Sequence, residues 1–139
     1  MPASAYDVLI DSDAFVGWFW IVDAHHEEAK EQFQSLAADE TTIATTSLVI
    51  LETATVLSPR VGQTIARTFL DHIDRSQLPI IYLDEERYRD TINLFKIQET
   101  KGTSMTDCGN VAIMRYFGIE TIFSFDKVYP KSFNISLLN

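Results

Sequence analysis

The stretch Tyr6–Asp13, Y-D-V-L-I-D-S-D, constrains the fold more than any other part of the chain. Val8, Leu9 and Ile10 form an unbroken apolar run, with Asp7 before it and Asp11 and Asp13 after it. Such a run suits a strand buried on both faces, as in a parallel sheet covered by helices. A carboxylate at the carboxyl end of that strand lies where open α/β sheets bind ligands. Read as extended chain, Asp11 and Asp13 point to the same side. The strand end therefore predicts either a metal platform or an aspartate nucleophile.

The remaining pattern alternates strands with helices. Ala14–Val22 is rich in aromatics (Phe15, Trp18, Phe19, Trp20) and predicts a short helix or turn packed on the sheet. Asp23 caps a predicted helix over Ala24–Ala38, with Ala29, Phe33, Leu36 and Ala37 on one stripe. Thr41–Thr45 reads as a second strand, and Ser47 as the cap of a helix Leu48–Leu57 that Pro59 ends. A helix follows over Val61–Arg75, and then a strand over Ile80–Leu83. Asp84 caps a helix reaching Thr100, with Tyr88, Ile92 and Phe95 inward. Met105–Phe117 reads as a helix closed by Gly118, with Val111, Met114 and Phe117 inward. Thr121–Ser124 is a fourth strand, and Ile135–Leu138 a short fifth. This order predicts an α/β fold, a mainly parallel sheet of four to five strands with helices on both faces. At 139 residues, one domain over 1–139 is the expectation.

Composition narrows the function classes. With 46% apolar residues the chain can build a proper core. Its one cysteine, Cys108, rules out an intrachain disulfide and reads as core packing. The opening M-P-A-S-A-Y-D has neither a basic n-region nor an apolar h-region, and Ala14–Val22 is about half of the roughly 20 residues a membrane span needs. The expectation is a cytoplasmic protein with no membrane association. The net charge of −9 argues against a general nucleic-acid binder unless clustered acids are neutralised by metal and local cationic patches exist.

Four acids stand at comparable places. Asp11 ends the first strand, Glu52 interrupts an apolar helix face between Leu48 and Val56, Asp107 starts a helix, and Asp126 follows the fourth strand. In a parallel sheet the strand ends and the following helix starts share one edge, so these residues can converge. Each also has a structural reading. Asp11 and Asp126 can end strands, Asp13 can cap a helix, and Glu52 can pair with an arginine. Ser104-Met105-Thr106-Asp107 has the spacing of a capping box. Ser124 and Thr106 are candidate supporting donors. Lys127 and Arg115 are candidate phosphate contacts, although a solvated surface position is the preferred reading of each. His25 and His26 read as surface residues.

Together, V-L-I-D-S-D, S-L-V-I-L-E-T-A-T-V-L, S-M-T-D-C and G-I-E-T-I-F-S-F-D-K resemble the PIN-domain nucleases, and the compact build resembles the VapC-type toxins. The resemblance implies a three-layer α/β/α sandwich and Mg²⁺- or Mn²⁺-dependent hydrolysis of RNA. Asp11, Glu52, Asp107 and Asp126 would be the catalytic and metal-binding set. Asp11 and Asp107 would be the main direct ligands, and Asp126 a direct or water-mediated one. Glu52 would act through water or orient the attacking water. A cognate antitoxin and a homodimer are the implied partners. Where the family often has Asn, Ser or Thr two residues after the first acid, this chain has Asp13. Two other readings compete: a catalytically inactive PIN-like binding or dimerisation module, and a haloacid-dehalogenase-type phosphatase with Asp11 as nucleophile. The phosphatase reading needs a downstream Lys and a paired acidic motif after a strand, whereas here only F-D-K follows the fourth strand, with a lone Asp, and the usual cap has no obvious space.

Overall fold

The computed structural model describes residues 4–139. Its elements run in the order β1 (Val8–Ile10), α1 (Ser12–Phe19), α2 (His26–Ala38), β2 (Ile43–Thr46), α3 (Ser47–Arg60), α4 (Gln63–Ser76), β3 (Ile80–Ile81), α5 (Glu85–Lys96), α6 (Met105–Phe117), β4 (Thr121–Phe123), α7 (Val128–Phe133) and β5 (Ser136–Leu137). The strands form one sheet in the order β3-β2-β1-β4-β5. Every pairing is parallel, with Leu9 opposite Ala44 on one side and Ile122 on the other. The chain thus leaves β1 toward β2 and β3, then returns to add β4 and β5 on the opposite flank. β1 and β4 bound the switch point, where parallel sheets open a crevice at their carboxyl edge.

Strand alternation divides the core. Val8, Ile10 and Phe123 pack against Phe15 of α1, Ala29 and Leu36 of α2, Val49 and Leu57 of α3, and Phe69 of α4. On the other face Leu9, Ala44 and Ile122 pack against Cys108, Val111 and Met114 of α6, with Tyr129 and Phe133 of α7. The central strand is therefore apolar at every position because both its faces are covered. Among the described residues, no helix is long and apolar enough to cross a membrane.

Several local expectations change. Asp23 accepts the His25 N–H at 2.9 Å and caps a turn, so α2 begins at His26 without a side-chain cap. The cap of α3 is Thr46, whose hydroxyl accepts the Val49 N–H at 3.1 Å. Ser47 instead accepts the Leu83 N–H at 3.0 Å, joining α3 to the segment after β3. Pro59 does not stop α3. It lies in the last turn, and the Val61 and Gly62 N–H groups both reach the Leu57 carbonyl beyond it.

α5 starts at the predicted Asp84 cap but ends at Lys96, and it buries Arg87 and Thr91 where Tyr88 and Phe95 were expected. Arg87 holds that position because its guanidinium lies 3.7 Å from the centre of the Tyr116 ring and pairs with Glu86 and Asp90. Phe117 is likewise half-exposed, whereas Val111 and Met114 are buried as expected.

Thr46 links this frame to the sheet edge. It is fully buried, accepts from Val49, and donates to Asn110 Oδ1 at 2.9 Å. Thr46→Val keeps the shape but removes both bonds and leaves Asn110 unpaired at that oxygen. Urea denaturation should show a loss of about 2 kcal/mol. Ser47→Ala, at a half-buried position outside this network, should cost less than half as much.

Candidate functional site

Asp11 follows β1 directly, and its N–H bonds the Phe123 carbonyl of β4 at 3.0 Å. Its side chain therefore emerges at the switch point, with only 4% of the residue exposed. Four donors converge on it. The Ser12 N–H (2.8 Å) and Asn110 Nδ2 (3.1 Å) reach Oδ1, while the Ser124 hydroxyl (2.9 Å) and the Tyr129 hydroxyl (3.0 Å) reach Oδ2. The Ser12 bond makes Asp11 the N-cap of α1. That role had been open for Asp13, which instead stands in the helix's first turn. Because α1 starts at Ser12, the two acids do not lie on one extended segment.

Asp107 is also buried, at the start of α6, and it does form the capping box with Ser104. The cap occupies Oδ2 only. Oδ1 lies 3.3 Å from the Tyr129 hydroxyl, which thereby stands between Asp107 and Asp11. Among the described residues Glu52 pairs with no arginine; its Oε2 accepts the Ser12 hydroxyl at 2.5 Å. Asp126 is exposed, accepts the Val128 N–H at 2.9 Å and donates its own N–H to the Ser124 hydroxyl oxygen. Asp13 Oδ2 accepts the Phe125 N–H at 2.9 Å and also receives Ser124 Oγ, so it braces the loop that carries Asp126. Its Oδ1 is buried without a hydrogen-bond partner among the described residues.

The electrostatics join these residues. Burial pushes the Asp11 carboxyl up to about 8, and the charge of Asp13 adds to the effect. Burial pushes Asp13 up to about 6, with a contribution from Asp126. Asp107 is also raised, first by burial and then by the charges of Asp126 and Glu52. Charge effects thus link Asp11 to Asp13, Asp13 to Asp126, and Asp107 to both Asp126 and Glu52. Among the described residues, however, no three His, Cys, Asp or Glu side chains stand as a ready-made metal cage. The donors are all hard carboxylate oxygens, burial and then neighbouring charge hold Asp11, Asp13 and Asp107 above the usual carboxylate range, and among the described residues Asp13 Oδ1 is buried and unpaired. That donor set fits a hard divalent cation.

Ser124 is where a supporting donor was expected. Thr106 has no hydrogen bond to the carboxylates among the described residues. Arg115 lies two turns along α6 from Asp107 and donates to the Phe133 carbonyl, away from the acids. Lys127 adjoins Asp126 and is exposed. His26 bonds the Gly17 carbonyl, whereas His25 stacks on Phe125 with ring centres 4.1 Å apart, at the rim of the site. Cys108 is buried, and burial pushes its thiol up to about 11, so it is core and not a nucleophile.

Three site residues escaped the sequence reading: Ser12, Asn110 and Tyr129. Asn110 carried a signal, a polar residue three positions after Asp107 on the same helix face. Tyr129 carried none, because α7 had not been recognised.

Residues 8–131 match the PIN domain family. Comparison with curated proteins finds no match. Among solved structures the chain is similar to VapC20 of Mycobacterium tuberculosis, described as a Sarcin-Ricin loop cleaving toxin. The identity is 21% and the TM-score 0.76, over 86% of this chain and 89% of that one. It is also similar to VapBC2 from Rickettsia felis, solved bound to a promoter DNA fragment, at 20% identity and TM-score 0.69 over 95% and 97%. FitAcB from Neisseria gonorrhoeae aligns at 14% identity and TM-score 0.63 over 95% and 96%. At these identities the likeness is one of fold.

The raised carboxyl of Asp11 has a stability consequence. Between its unfolded value near 3.8 and about 8, the folded chain holds a proton that the unfolded chain has lost. Stability of the metal-free protein should therefore fall as pH rises through that window. Asp11→Asn removes the penalty and retains acceptor and donor capacity for its hydroxyl neighbours. In thermal melts with chelator, the variant should melt about 3 °C or more above wild type at pH 8, with the gap closing toward pH 4. A variant less stable at both pH values would contradict this account.

Proposed function

The chain belongs to the PIN domain family, and on that premise we propose that it is a divalent-metal-dependent endoribonuclease, the toxin of a toxin–antitoxin pair. The phosphatase reading of Asp11 falls with the family match. PIN domains generally bind divalent metals, and the oxygen donors at the sheet edge suit Mg²⁺ or Mn²⁺. One observation carries the proposal. Asp11 and Asp107, from opposite ends of the sequence, meet through a single buried hydroxyl at the switch point of a parallel sheet.

Asp11, Asp107 and Asp126 would hold the ion, and Glu52, tied to Ser12, would act through water or orient the attacking water. A bound divalent ion supplies charge neutralisation at the phosphate and a more acidic water. The chain's own part is positioning. Asn110 and Ser124 fix the Asp11 carboxylate from two sides, and Tyr129 sets its separation from Asp107. Burial pushes the Tyr129 hydroxyl up, so it stays protonated and serves as a donor. Asp13 fixes the Ser124–Phe125 loop, which sets where Asp126 stands.

VapC20 is described as a Sarcin-Ricin loop cleaving toxin, which supports RNA as the substrate class. We take 1–139 as one PIN-like domain acting in the cytoplasm, as a homodimer held in check by a cognate antitoxin. An apolar cleft of about 650 Å³ between α2 and α4, lined by Phe15, Trp18, Phe33, His72 and Leu78, is available for such a partner. A catalytically inactive binding module remains the competing reading, and activity decides between them.

Purified protein should cleave RNA with Mg²⁺ or Mn²⁺ and stop on chelation. Asp11→Asn and Asp107→Asn should each lower the rate on the order of 10³-fold, comparable to losing a principal electrostatic contact. Tyr129→Phe, which removes a positioning hydroxyl, should lower it about 10–100-fold. Equal RNA degradation by wild type and both Asn variants would mark a contaminant and end the nuclease assignment. Light scattering should give about twice the chain mass of 15.8 kDa.

A further inference from the structure

The acidic edge has a cationic neighbour. A cleft of about 320 Å³ lies between the loop leading from α5 into α6 and the start of α7. Lys101, Lys127 and Lys131 line it, and Asp126 forms part of the same wall. These are three of the chain's five lysines, gathered in one place on a molecule of net charge −9. All three are exposed, and among the described residues none is engaged in an ion pair. By contrast, Arg87 and Arg89 are matched with acids on their own helix.

The position of the cleft is fixed by the elements that carry the acids. Lys101 lies on the loop that delivers Ser104 and Asp107 to the sheet edge, and Lys127 directly follows Asp126. A phosphate held at Asp126 therefore lies beside the wall that carries the three lysines. On the other side of Asp126, Phe125 is covered by the stacked His25 ring. Unpaired cations attract a backbone of repeating charge, and grooves of this kind track single strands.

We infer that the Lys101–Lys127–Lys131 cleft binds the phosphate backbone of single-stranded RNA beside the scissile bond. This inference rests on the ribonuclease reading and adds the path of the substrate. It also answers the charge objection, because the cations are concentrated where the strand leaves the acids.

The test is binding of a fluorescein-labelled, mixed-sequence single-stranded RNA in fixed Mg²⁺, followed by anisotropy across a salt series. The comparison is Asp11→Asn against the same chain carrying Lys101→Gln, Lys127→Gln and Lys131→Gln. Circular dichroism checks the fold. Three lost phosphate contacts should make the slope of log affinity against log salt shallower by about 2. Removing the same charge through Arg60→Gln, Arg67→Gln and Arg75→Gln should leave the slope unchanged. An unchanged slope in the lysine variant would overturn the inference, and if wild type still cleaves RNA the nuclease reading survives that result. Absence of both binding and cleavage would overturn both. Equal-length polyglutamate binding as tightly as RNA, and weakened by the same lysine substitutions, would assign the cleft to an acidic protein segment and overturn the RNA assignment.

Discussion

The buried carboxylate of Asp11 is the constraint around which the sheet edge is arranged. A charge removed from water is costly unless donors replace the lost hydration. Here the donors come from four places: the first turn of α1, Asn110 on α6, Ser124 after β4, and Tyr129 on α7. Each donor is anchored by a second bond or by deep burial. Asn110 is held by Thr46 at the end of β2, and Tyr129 is fully buried in the core. Satisfying one carboxylate thus ties both layers of helices to the carboxyl edge of the sheet. The same arrangement brings Asp107 to the other side of the Tyr129 hydroxyl, and Asp107 in turn feels the charges of Asp126 and Glu52. The fold tolerates that repulsion because the core on either side of the sheet is continuous.

Much of this was legible in the sequence, and the exceptions have physical reasons. Val8–Ile10 could be read because a doubly covered strand must be apolar throughout. The acids could be read because parallel topology gathers strand ends without regard to sequence distance. Helix α7 was missed because its six residues, with Pro130 among them, are too few to show a helical period. Tyr129 was missed with it. The inner face of α5 was misplaced because Arg87, a charged residue, takes a core position by stacking on Tyr116. Caps were displaced by one residue where two hydroxyls competed, as with Thr46 and Ser47. Which hydroxyl faces the helix depends on the entry angle of the chain, and that angle is set by β2.

Asp13 shows how one departure from a family pattern can be read. Asn, Ser or Thr at this position would offer a hydrogen-bonding group without a full charge. Asp13 keeps the acceptor role, holding Ser124 and the Phe125 N–H through Oδ2. Its charge is therefore in excess of what bracing the loop requires. That charge acts on Asp11, where it is the largest electrostatic influence after burial, and it leaves Oδ1 buried and unpaired. A fifth acid raises the repulsion that a divalent ion would relieve, so it strengthens the coupling between metal binding and proton release. Asp13 thus braces the loop through one carboxylate oxygen and raises the Asp11 carboxyl through its charge.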